Sequence, residues 1–131
     1  MREQARGGKG IENRKKKAWI YTHIDAPEDS HGALKKQYEQ LNTYGEQLRT
    51  EIAGSSSDTG GTAGLKRPGL DLFLEEKESR GIEIFLVLDS SRISRDEKLC
   101  GEFLRQMAKC GIDVCSPLEG RLSARQPAAG S

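Results

Sequence analysis

The chain has no run of about 18 consecutive apolar residues, so no segment reads as a transmembrane helix. It has no apolar core near its N-terminus of the kind a secretory signal carries, so the expectation is a cytoplasmic protein with no membrane partner. Cysteine is scarce. Cys100, Cys110 and Cys115 form no CxxC pair, and an odd count argues against a disulfide framework, which fits a reducing compartment. Only two histidines occur, His23 and His31, and neither stands at metal-ligand spacing from a cysteine, so no metal site and no cofactor are expected. Net charge is nearly absent, at +1, so global charge alone does not point to a nucleic-acid partner. No internal repeat is present. What remains is 131 residues, 34% hydrophobic, enough for one domain with one modest core.

The charge that exists is unevenly placed. Residues 1–17 carry Arg2, Arg6, Lys9, Arg14, Lys15, Lys16 and Lys17 against Glu3 and Glu12, and read as a disordered basic arm. Residues 119–131 read as a loose tail. Between them, residues 18–118 alternate strand and helix. Ala18 to Ile24 is a β-prone run. Leu34, Tyr38, Leu41, Gly45 and Leu48 recur at helical spacing, which predicts a helix over about 33–47. Glu51 to Ala53 reads as a short strand, and Gly54 to Lys66 as a mobile Ser/Gly loop without an apolar anchor. Pro68 opens a helix that Gly81 ends, and Ile82 to Leu88 is an apolar run suited to a strand covered on both faces. Ser94 with Glu97 fits a capping box for a helix to Gly111, and Ile112 to Cys115 is a fourth strand. The expected fold is α/β, a mainly parallel sheet of four or more strands with helices on both faces.

In such sheets the working groups lie at the carboxyl ends of the strands. The turn Asp89 to Asp96 lands there and holds Arg92 and Arg95 at the mouth of a helix, a setting suited to phosphate; a pair of solvated surface arginines is the bland alternative. Arg67, before Pro68, is a third cation on the same edge, or merely an exposed residue ahead of a helix opener.

These segments, taken in order, resemble the catalytic domain of the serine site-specific recombinases, the resolvase/invertase family. The motifs are Tyr21-Thr22-His23-Ile24-Asp25, Ala33-Leu34-Lys35-Lys36-Gln37, Asp58-Thr59-Gly60-Gly61-Thr62, Arg67-Pro68-Gly69-Leu70 and Ser91-Arg92-Ile93-Ser94-Arg95. Their order and spacing agree with the family over roughly residues 18–116. The resemblance implies a resolvase-like fold, strand cleavage and rejoining in DNA recombination, DNA as partner, and a homo-oligomer or a second recombinase as a further partner. It implies a phosphate site of Gln37, Arg67, Arg92 and Arg95.

The departures are equally specific. Where the family places its nucleophilic serine this chain has Asp25, where it places an arginine two residues earlier this chain has His23, and Ser91 stands for an aspartate. A carboxylate repels the phosphodiester it would have to attack, and its phosphate adduct is a labile mixed anhydride. Histidine in place of arginine supplies less charge to the transition state. The expected domain is therefore catalytically impaired. Ser30, Ser56 and Ser91 are substitute nucleophiles to weigh, Ser30 being the nearest to Asp25. In the bland reading Asp25 is a turn or capping residue, or is ion-paired with Arg67, Arg92 or Arg95. Two alternatives belong to other classes: a phosphoacceptor or Mg²⁺-dependent site built on Asp25 and Asp89, and a non-catalytic interaction module that presents the helix 94–110 to a partner.

Overall fold

A computed structural model describes residues 14–60 and 67–123. Its strands are β1 (Lys16–Ile24), β2 (Thr50–Thr59), β3 (Ile84–Leu86), β4 (Asp113–Ser116) and β5 (Gly120–Leu122). Its helices are α1 (Ala33–Gln47), α2 (Pro68–Glu76) and α3 (Glu97–Lys109), with a short 3₁₀ turn at Ser90–Arg92. The sheet runs β2-β1-β3-β4-β5; the first four strands pair in parallel and β5 is antiparallel to β4. This is the expected α/β architecture.

β1 lies inside the sheet between β2 and β3, and Ala18 to His23 are all buried. Its alternate residues serve two cores. Trp19 and Tyr21 join Leu70 and Phe73 of α2 and Phe103, Leu104 and Met107 of α3 on one face. Ala18 and Ile20 join Leu41 of α1, Ile84 and Leu86 on the other. Helices therefore cover both faces. The chain steps from β1 to β2 on one side and then to β3 on the other, so a switch in strand order falls beside the carboxyl end of β1.

Several boundaries differ from the sequence reading. β1 starts at Lys16, inside the expected arm, and Arg14 is held by Glu83 through two hydrogen bonds of 3.0 and 2.9 Å. The largest correction is β2, which extends from Thr50 through Thr59, so the first part of the expected Ser/Gly loop is strand. Small residues are what this strand needs. A Cβ on Gly54 would stand 2.5 Å from the Trp19 ring, and the Ser56 hydroxyl accepts from Trp19 Nε1 at 3.0 Å while donating to the Gly69 carbonyl at 2.7 Å. At Ser56 polarity marks close strand–helix packing, its hydroxyl replacing an apolar anchor. The remainder of that loop, residues 61–66, lies outside the described residues. The expected tail likewise begins with strand β5, and residues 124–131 and 1–13 lie outside the described residues. α3 starts at Glu97, capped by Asp96, whose carboxylate accepts from the amides of Lys98 and Leu99; the Ser94 capping box does not form.

Candidate functional site

Each of the three α-helices among the described residues starts at the carboxyl end of the sheet, and each has its first amides held by an aspartate. Asp29 accepts from Ala33 N and Leu34 N at 2.7 and 3.1 Å, Asp58 from Gly69 N and Leu70 N at 2.8 and 3.1 Å, and Asp96 caps α3. A carboxylate there satisfies free donors and complements the helix dipole. Asp25 is not one of these caps.

Asp58 is the residue that sequence reasoning quoted without assigning a role. It is buried, and besides capping α2 it accepts a 2.6 Å hydrogen bond from Tyr21 Oη. Burial first, and then the bond to Asp58, push the Tyr21 phenol well above its ordinary value, with the bond from Arg67 acting the other way. Arg67, also buried, donates to Tyr21 Oη at 3.2 Å, to the Arg92 carbonyl at 2.8 Å and to the Ile93 carbonyl at 2.5 Å. The reading of Arg67 as an exposed residue is thus overturned. Its fork fastens α2 to the turn that carries Arg92 and Arg95.

Two other expected site residues, Gln37 and Arg92, converge on the backbone of His23. Gln37 Oε1 accepts from His23 N at 3.2 Å and Gln37 Nε2 donates to His23 O at 2.9 Å, so one buried side chain supplies the pairing that a neighbouring strand would give. Arg92 donates to the same carbonyl at 2.9 Å. The His23 ring is buried, lies 3.1 Å through Nε2 from the Gly60 carbonyl, and is nearly parallel to Tyr21. Arg92 Nε stands 3.6 Å from Asp89 Oδ2 and, though buried, makes no hydrogen bond. Asp89 also accepts from the amide and hydroxyl of Ser91, which folds the 3₁₀ turn. Glu119 braces that turn from the β4–β5 connection by accepting from Ser90 N at 3.0 Å.

Asp25 and Arg95 stand apart from this buried network. Arg95 meets Asp25 Oδ2 at 2.6 Å, with the two side chains 72% and 51% exposed. Of the three arginines weighed as partners for Asp25, the pair forms with Arg95. The substitute nucleophiles are all engaged: Ser30 Oγ lies 3.2 Å from His31 Nδ1, Ser56 is in the Trp19–Gly69 bridge, and Ser91 is on Asp89. At the rim Arg95 reaches solvent, and behind it the bond to the His23 carbonyl fixes Arg92.

No group of three or more His, Cys, Asp or Glu placed to hold a metal occurs among the described residues. Nor is any described helix long and apolar enough to cross a membrane.

The family profile described as "Resolvase, N terminal domain" matches residues 26–130. No curated protein matches the chain. Among solved structures, the N-terminal catalytic domain of TP901-1 integrase superposes with a TM-score of 0.69 at 23% identity, over 80% of this chain and 79% of that one. A resolvase family site-specific recombinase from Streptococcus pneumoniae gives a TM-score of 0.69 at 21% identity, over 88% and 80%. The C-terminal catalytic domain of ISC1926 TnpA, an IS607-like serine recombinase, gives a TM-score of 0.69 at 18% identity, over 76% and 69%. At these identities the likeness is one of fold. The profile match begins one residue after Asp25 and does not include it.

Proposed function

The chain belongs to the resolvase N-terminal domain family, and from that premise we propose a domain of DNA recombination that does not itself form the covalent link to DNA. One observation carries the reading. The position after β1, where the resemblance puts a nucleophilic serine, holds a carboxylate already paired with Arg95 at 2.6 Å. In a member of this family an arginine at that rim serves a DNA phosphate, and here Asp25 takes the place of that anion. Its partners in this reading are DNA and either a second copy of the chain or an active recombinase. The setting is the cytoplasm, where Cys100, Cys110 and Cys115 stay free thiols.

The Mg²⁺ or phosphoacceptor reading is less well supported, because Asp25 is engaged by Arg95 and Asp89 by Ser91 and Arg92. The bare interaction module loses its surface, since Cys100, Phe103, Leu104 and Met107 of α3 are packed into the core.

The test is chemical. The natural chain is incubated with duplex DNA of mixed sequence and probed for protein–DNA adducts that survive detergent, with and without hydroxylamine. The expected result is no adduct. A hydroxylamine-labile adduct would identify attack by Asp25 through an acyl phosphate, and a resistant one attack by a serine; either outcome refutes the proposal.

A further inference from the structure

The end of the sheet opposite Asp25 carries a second concentration of charge. In a parallel sheet the helices deliver their carboxyl ends to the amino ends of the strands, and here α2 and α3 end beside the starts of β1, β3 and β4. A cleft of about 590 Å³ opens between them. Its charged lining is Arg14, Lys17, Lys77, Lys109, Glu78 and Glu83.

The two carboxylates do not cancel the four cations. Glu83 is saturated: it takes both nitrogens of the Arg14 fork and the Lys17 amide, and these bonds hold its carboxyl below the usual range. Glu78 is 90% exposed and meets Lys77 only at 3.8 Å. The Lys77 side chain is 11% exposed, so its stem is packed and its ammonium is aimed by the fold. The helix ends offer a bland explanation, since lysines in a last turn complement carbonyl dipoles. Each helix end amounts to about half a negative charge, which offsets part of Lys77 and Lys109 and does not act on Lys17. Lys15 and Lys16, both exposed, extend the basic run along the start of β1. Alternate side chains there are spaced by about 6.7 Å, two residues of strand rise.

We propose that this cleft docks the phosphate backbone of duplex DNA, at the pole opposite the Asp25–Arg95 pair. A concave row of cations suits a ridge of regularly spaced phosphates. A bilayer or an apolar peptide would need an exposed hydrophobic anchor. The exposed large hydrophobics among the described residues are Tyr38, Leu48, Leu72 and Leu118, and none lines the cleft. The inference goes beyond the reading of Asp25 and holds whether or not that residue is inert.

Fluorescence anisotropy with a labelled mixed-sequence duplex tests it, on the natural chain and on two triple variants at Lys17, Lys77 and Lys109. Changing all three to Gln should raise Kd about tenfold or more at about 50 mM salt and reduce the slope of log K against log salt by about 3. Changing all three to Arg keeps the charge and should leave both within about twofold, which separates lost charge from lost folding. The proposal is overturned if the natural chain does not bind, if the Gln variant binds as well as the natural chain, or if the Arg variant fails along with it. Retention by phosphatidylserine vesicles without DNA binding would also overturn it. None of these outcomes bears on phosphate binding at Arg95, so the two readings fail separately.

Discussion

Arg67 and Arg95 stand at the same end of the same sheet, each near an acidic residue, and they do opposite work. Arg67 is buried, its fork divided among a phenol and two carbonyls, beside an aspartate that caps α2. Arg95 is mostly exposed and meets one half-exposed carboxylate. The first arrangement is scaffold. A buried ionic network that loses a member leaves charge and carbonyls without partners in a low dielectric. The second is a surface ion pair, worth little to folding and easily exchanged for another anion. Sequence spacing makes the two arginines look equivalent, and burial separates them.

That contrast can be broken by measurement. Arg67→Met should cost the most, about 3–5 kcal/mol by urea denaturation, because Tyr21 Oη and the carbonyls of Arg92 and Ile93 lose their donor. A loss below about 1 kcal/mol would place Arg67 in the same class as a surface residue. Asp58→Ala should follow at about 3 kcal/mol, from two helix-capping bonds and the Tyr21 partner removed together.

Tyr21→Phe sharpens the comparison through pH. The phenol's folded value lies above its ordinary one, because burial and Asp58 favour the neutral form. Its contribution is complete below the unfolded value of about 10 and falls by about 1.4 kcal/mol per pH unit above it. Tyr21→Phe should therefore be about 1–2 kcal/mol less stable at neutral pH, with the gap narrowing as pH rises beyond about 10. Parallel stability curves for the two proteins in alkali would contradict this. The smallest effect belongs to the rim: Asp25→Ser should change stability by less than about 1 kcal/mol.

Much of the fold was legible because periodicity reports burial. The α1 helix falls on 33–47 as its spacing predicts, and the apolar run ending near Leu88 contains β3. β2 differs from its sequence reading because Ser56 and Gly54 fit the Trp19 ring and α2, partners brought close only by folding. At the site, the sequence located the edge of the sheet and the arginines but not their division of labour. Gln37 is expected at a phosphate site, and the fold also gives it the backbone pairing of His23, which its spacing does not reveal. Asp58 reads as a loop residue, and only the register of β2 on β1 brings it to Tyr21 and α2. The Asp25–Arg95 pair was foreseeable as one of three pairings, and the geometry chooses among them.

The central claim is that Asp25 stands in for the anion that Arg95 would otherwise hold. The most direct measurement is a phosphate titration at low ionic strength, followed by the amide shifts of Arg92 and Arg95, for the natural chain, Asp25→Ser and Asp25→Ser combined with Arg95→Ala. Removing one unit charge about 4 Å away in water-like surroundings is worth about 1 kcal/mol, so Asp25→Ser should bind phosphate about fivefold more tightly. The added Arg95→Ala should abolish the gain. Equal affinity of the natural chain and Asp25→Ser would mean that the carboxylate occupies no anion site.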